Sequence, residues 1–281
     1  MMTIENSVTE QVADAISAAG LATPDDIVDD GLIHRFSTNG KAHDKAGWYI
    51  LHSDGIAAGS FGDWRQQGIT QSWCIKSPDT MTDGERQAHR DRIKAMQAAR
   101  EADRVLRQTR AAHEAARRWA EGKLCTGHPY LTRKGIQPHG VKTEGDNLLI
   151  PMYDSTRQIV NLQTITPDGT KMFMSGGRVK GCYFSIGKPK GTLIVCEGFA
   201  TGASIHECTG HAVAVAFTAD NLETVAVALR TKYPALKIIV AADDDHQTKG
   251  NPGLTKATAA AQAVGGAVAV PMFKGVAACL L

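Results

Sequence analysis

The chain has no Cys-x-x-Cys pair. Its six cysteines stand singly at 74, 125, 182, 196, 208 and 279, which removes a zinc ribbon and a dithiol redox motif from consideration. Cysteines scattered in this way suit a reducing compartment better than a disulfide framework. Long apolar runs are missing too: none approaches the roughly 20 residues that span a bilayer. The opening Met1-Met2-Thr3-Ile4-Glu5-Asn6 lacks the basic-then-apolar layout of a signal peptide. A soluble, cytoplasmic protein with no membrane partner is expected. Net charge is nearly absent, with 31 Lys and Arg against 29 Asp and Glu. That excludes a uniformly basic nucleic-acid coat protein but leaves room for local segregation of charge. What is present is apolar content, at 43% of 281 residues, enough for a substantial core in one or two domains.

Apolar residues at helical spacing (Val8, Val12, Ile16, Ala19) predict an opening helix. Two β-rich runs, Trp48 to His52 and Ile56 to Phe61, flank Ser53-Asp54-Gly55, a hairpin signal. The aromatic residues Trp48, Tyr49, Phe61, Trp64 and Trp73 gather here, with Arg65 nearby. Such rings can stack on nucleobases, but burial as the core of a small module is the stronger expectation. Residues 80–122 then predict one helix of nearly 40 residues, opened by the capping box Thr82-x-x-Glu85 and stopped at Gly122. Its expected apolar stripe is Ile93, Met96, Ala99, Ala102, Leu106, Ala112, Ala116 and Trp119. Ten basic and six acidic side chains between Glu85 and Glu121 are interspersed. That pattern suits a solvated helix laced with ion pairs better than a basic rod on phosphates.

Strands are expected at 147–152 and 158–165, with a turn at Pro167-Asp168-Gly169. Lys171 to Lys190 carries Lys171, Arg178, Lys180, Lys188 and Lys190 and no acid, beside Gly176-Gly177, where backbone can approach a ligand. From Thr192 onward strands and helices alternate, the pattern of a parallel sheet covered by helices. Ligands of such sheets bind beyond the carboxyl ends of the strands. Two strands end there in acids: Leu193–Cys196 runs into Glu197-Gly198, and 238–242 runs into Asp243-Asp244-Asp245. Carboxylates gathered at one edge repel unless a cation pairs them, and magnesium, with its oxygen ligands, fits. Asp243 and Asp245 can turn toward one ion, with Asp244 pointing away in an extended chain. Gly198 lets the chain turn, and Thr201-Gly202-Ala203-Ser204 opens a helix whose first amides can hold phosphate.

Glu197-Gly198-Phe199-Ala200-Thr201, with the later Asp243-Asp244-Asp245, resembles the Toprim domain, and within it the primases of satellite phages and conjugative plasmids, whose signature is Glu-Gly-Tyr-Ala-Thr. Phe199 replaces the tyrosine. The resemblance extends back through Lys171–Gly177 and Gly181–Phe184, which are similar to the basic subdomain before Toprim. It extends forward through Asn251–Ala257 and covers about residues 125–273. The chain departs from the family in lacking the zinc ribbon, in carrying Thr201 where replicative primases often have aspartate, and in having no acid after Phe273.

The resemblance implies an α/β Toprim domain with a parallel, Rossmann-like sheet (191–281). Before it come a basic α+β primase subdomain (123–190), a long charged helix (80–122) and a small N-terminal α/β module of unassigned role (1–79). It implies template-directed synthesis of short RNA primers on single-stranded DNA from ribonucleoside triphosphates, for phage or plasmid replication, with a replicative helicase as a further partner. In that scheme Glu197, Asp243 and Asp245 are catalytic and bind Mg2+ or Mn2+, Glu197 as ligand rather than base. Lys171, Arg178, Lys180, Gly198 and Thr201 contact nucleic acid or triphosphate. The same acids allow a Toprim nuclease, and loss of activity would leave a nucleic-acid-binding accessory. The ten histidines show no metal-ligand spacing; His246 reads as a loop residue, and Cys196 and Cys208 as packing residues.

Overall fold

The computed structural model describes residues 7–41, 43–63, 70–76, 81–243, 248 and 250–271. The chain divides into two compact units, Met1–Arg100 and Glu101–Leu281.

The first unit opens with α1 (Val8–Ala18), capped as its sequence requires: the Glu10 amide donates to Ser7 Oγ at 3.2 Å, and the Ser7 amide donates to Glu10 Oε2 at 2.7 Å. Strands β1 (His34–Phe36), β2 (Gly47–His52), β3 (Ala58–Asp63) and β4 (Thr70–Cys74) form an antiparallel sheet in sequence order. The two-residue period of a strand splits the aromatic cluster. Tyr49 and Phe61 join Val12, Ile16, Phe36 and Leu51 in the core, and Trp73 packs against it. Trp48, with Ile50 and His52, lines a cavity on the opposite face instead. Only part of the cluster is therefore core; Trp64 and Arg65 lie outside the described residues.

Helix α2 (Asp83–Glu121) has 39 residues and carries the expected capping box, with the Thr82 amide donating to Glu85 Oε2 at 2.9 Å. Arg104 pairs with Glu101, and Arg117 with both Glu114 and Glu121, at 2.5–2.7 Å on exposed surface. The stripe differs from expectation. Ala111 and Ala115, not Ala112 and Ala116, are the buried alanines, and Ala115 packs with Leu149 and Leu162. One residue is 100° around a helix, and alanine on both faces gives the pattern too little weight to set the angle.

The rest of the second unit holds two five-stranded sheets. In the first, β5 (Lys123–Leu124), β6 (Lys142–Glu144), β7 (Asn147–Tyr153), β8 (Ile159–Ile165) and β9 (Lys171–Phe173) are antiparallel in sequence order, with α3 (Pro129–Lys134) between β5 and β6. The second is built from β10 (Phe184–Ile186), β11 (Thr192–Cys196), α4 (Phe199–Thr209), β12 (Ala212–Val215), α5 (Leu222–Lys232), β13 (Lys237–Ala241), α6 (Pro252–Ala263) and β14 (Ala267–Ala269). Its order is β10-β12-β11-β13-β14, parallel except for β10, which runs antiparallel to β12. The expected parallel sheet is present, with one antiparallel strand added at its edge.

Strand β11 is buried on both faces, which explains its unbroken apolar run. Ile194 and Cys196 share a core with Leu148, Ile150, Met152 and Ile165 of the antiparallel sheet, and with Phe199 of α4. Leu193 and Val195 face the other way, onto Leu222, Val225 and Leu229 of α5 and Ala257, Ala260 and Ala261 of α6. No helix among the described residues is long and apolar enough to cross a membrane.

Candidate active site at the carboxyl edge of the parallel sheet

Adjacent parallel strands aim their carboxyl ends at the same place, and here both ends deliver an acid. Val195 pairs in register with Val240, so Glu197 leaves β11 level with Ala242, and Asp243 follows one residue later. Backbone bonds fix both exits. Phe217 donates its amide to the Glu197 carbonyl and Ala216 to that of Cys196, each at 2.8 Å; Ala242 donates to Ala269 at 2.9 Å. Both acidic residues are half-buried. Their proximity registers on the Cys196 thiol, which lies fully buried beneath them. Burial is the largest cause pushing its pKa well up, and the negative charges of Asp243 and then Glu197 push it further. Among the described residues no group of three or more His, Cys, Asp or Glu comes together as a cation site. Asp244, Asp245 and His246 lie outside those residues.

Gly198 is the N-cap of α4 in an extended conformation, with no side-chain cap, and Thr201 sits half-buried in the first turn. The helix lies close on the sheet because of Gly202: a Cβ there would come within 2.8 Å of Val215 Cγ2 and 3.0 Å of Cys196 Sγ. Only a residue without that atom lets α4 begin directly above the acid-bearing strand.

The basic segment reaches this edge through two buried side-chain amides and one ring contact. Phe217, in a left-handed conformation at φ 70, meets Phe173 of β9 edge-on, with ring centroids 6.2 Å apart. Strand β9 begins with Lys171, whose ammonium lies 6.0 Å from the Tyr130 ring centroid. Asn161, fully buried, accepts from the Met174 amide at 3.2 Å and donates to the Arg178 carbonyl at 3.3 Å. A Cβ on Gly177 would fall 2.4 Å from that amide carbon. Gly177 therefore admits an internal side chain, not a ligand as its sequence context suggested. Asn221, only 2% exposed, accepts from the Gly181 amide at 2.7 Å. It donates to the carbonyls of Val179, Cys182 and Ala216 at 2.8–3.1 Å. One amide thus ties the loop carrying Lys180 to the end of β12.

The cations differ in state. Arg178 is paired with Asp154 at 2.9 Å. Asp154 is held below the usual carboxylate range, where burial, which raises it, is outweighed by bonds from Thr156 and Gln158 and the Arg178 charge. Lys180 is exposed, with no carboxylate partner among the described residues. Sequence reasoning missed Asn161 and Asn221, because neither lies in a charged or glycine-marked motif; the only signal was a polar residue beside an apolar strand. In donor type the edge suits a hard divalent cation, since it offers carboxylate oxygens while the thiol beneath stays protonated.

Residues 192–275 match the Toprim domain family. Two proteins named DNA primase TraC, both from Escherichia coli, are each 36% identical to the chain, over 282 and 287 residues and 94% of its length. The chain spans 26% of one and 19% of the other, so it corresponds to about a quarter of the first relative and a fifth of the second. Among solved structures, the primase fragment of the bacteriophage T7 primase-helicase protein is 17% identical with a TM-score of 0.42. That likeness covers 56% of this chain and 69% of the other. The strands that bear Glu197 and Asp243 lie in the segment that matches the Toprim domain family, within a chain that is similar to one part of two proteins named DNA primase TraC.

Proposed function

We propose that this chain is the catalytic segment of a DNA primase that makes short RNA primers on single-stranded DNA from ribonucleoside triphosphates. The observation that carries the reading is the delivery of Glu197 and Asp243 by neighbouring parallel strands to one edge of the sheet. The 36% identity along 94% of the chain supports it. Glu197 and Asp243, with Asp245 as the third acid, hold Mg2+ or Mn2+. When bound, such an ion orients phosphate oxygens and stabilises charge on the leaving pyrophosphate.

The chain's own residues do the rest. Lys171 and Lys180 neutralise triphosphate or template phosphates, and Arg178 adds a charge already shared with Asp154. The uncapped amides after Gly198, in the turn containing Thr201, favour a phosphate at the start of α4. Residues 123–190 act as the basic subdomain and 191–281 as the catalytic domain, with a replicative helicase as partner.

The test is incubation with single-stranded DNA, the four ribonucleotides and magnesium, with products resolved on a gel. Short RNA is expected from the wild type, and Glu197→Gln or Asp243→Asn should lower its rate about a hundredfold or more. Products that persist at the wild-type rate in either variant refute the assignment. Cleavage of a labelled strand without nucleotides would instead identify a nuclease.

A further inference from the structure

We propose a second nucleotide site, separate from the acids, along β10 at the edge of the sheet that carries them. A pocket of about 350 Å³ lies beside β10 and is lined in part by Leu193 and Ala212. These pair near the amino ends of β11 and β12; Tyr183 and Phe184 carry the lining along β10 to the level of Val215, with β12 standing between β10 and the strand that bears Glu197. Its lining includes three cations, Arg157, Lys188 and Lys232, and four aromatic rings, Tyr153, Tyr183, Phe184 and Tyr233, but no carboxylate. His139 also lines it, but that imidazole is engaged by Glu207 at 2.5 Å. Among the described residues none of the three cations has a carboxylate partner. Lys232 lies 5.7 Å from the centroid of the Tyr233 ring. Cations of one sign gathered at a concavity with no internal counter-charge draw an anion from outside.

Arg157 supplies an independent observation. It sits at φ 68, a left-handed conformation that glycine adopts freely and a long side chain does not. The turn between β7 and β8 holds it there: the Arg157 amide donates to the Asp154 carbonyl and the Gln158 amide to Asp154 Oδ1, both at 3.0 Å. Turn geometry favours glycine at 157, and an arginine stands there instead, with its side chain on the lining of the pocket. Paired cations and tyrosine faces match the two halves of a nucleotide, phosphate on the former and base on the latter. The volume is that of a small-ligand pocket. The nucleotide is either free, as a ribonucleoside triphosphate, or one unit of a single strand; the chemistry of recognition is the same.

The test uses the full chain with Arg157→Gly, Lys188→Gln and Lys232→Gln combined, and Arg157→Gly alone as a folding control. The control should melt at or above the wild-type temperature, because glycine relaxes the turn. Binding is read by anisotropy of a labelled oligodeoxythymidylate and by calorimetry with ATP, each in magnesium and in EDTA. The triple variant should bind at least one ligand about tenfold or more weakly in both buffers. If that ligand is the oligonucleotide, its logarithmic salt slope should become shallower by about two. The ligand that weakens identifies the source of the nucleotide. Three results overturn the proposal: unchanged affinity for both, no wild-type binding of either in EDTA, or a loss confined to magnesium. Failure of the primase reading is distinct, since it appears as absent RNA products from the wild type whatever happens at this pocket.

Discussion

Replacing Asn221 with alanine tests how the basic loop is held against the Toprim sheet. The carboxamide oxygen holds the Gly181 amide, and its two N–H hydrogens are shared among the carbonyls of Val179, Cys182 and Ala216. Truncation removes the equivalent of three bonds and leaves their partners in a site that is 2% exposed. At about 1–1.5 kcal/mol per bond, the loss is about 3–5 kcal/mol. For a unit of this size that lowers the melting temperature by about 10 °C. The assay is urea and thermal unfolding followed by circular dichroism, with single-strand affinity measured well below the variant's transition. Affinity should fall as well, because Lys180 loses its anchorage while its charge is intact. Asn221→Asp is the sharper control. It keeps the acceptor for Gly181 but presents negative oxygen to three carbonyls, so it should destabilise at least as much as alanine. Either variant within about 1 kcal/mol of wild type would show that the network carries no such load.

Cysteine reactivity should separate cleanly. Burial raises the Cys182 and Cys196 thiols, with the neighbouring acids adding to the effect at Cys196, and the thiolate is the reactive form. An aromatic disulfide reagent at pH 8, with peptides read by mass spectrometry, should label exposed Cys208 in the native protein and reach Cys182 and Cys196 only on unfolding. Glu207 is held below the usual carboxylate range, first by the Gln137 amide at 2.8 Å and then by His139. A depressed folded pKa contributes stability that is present above the unfolded value, near 4.3, and lost as pH falls through the lower folded one. Urea titrations should therefore find Glu207→Gln less stable than wild type at pH 6, with the gap closing below pH 4; a gap constant with pH would refute the assignment.

The Toprim strands were legible because burial on both faces writes an uninterrupted apolar run, and Glu197 and Asp243 because each terminates one. The 39-residue helix was legible from its capping box and lack of breakers. Strand β10 was not. Phe184–Ile186 is three residues long, and its place at the sheet edge is fixed by pairing with β12 rather than by any local pattern. Nor did spacing reveal Asn161, Asn221 or the purpose of Gly177, since each matters through a partner distant in the chain. Within the aromatic cluster, alternation along β2 assigned Tyr49 and Trp48 to opposite faces, but not which face a core would cover.

Phe217 stands against its own backbone preference, and its ring meets Phe173 across the gap between the two sheets. A lineage that exchanged it for glycine would bend more easily after β12 and give up that grip. The strand beginning with Lys171 would then be tied to the acidic edge without a ring contact, through the Asn161 and Asn221 amides alone. Such a protein would keep every charged group named above and still lose coordination between them, so a family could drift in activity here without altering a single ionisable side chain.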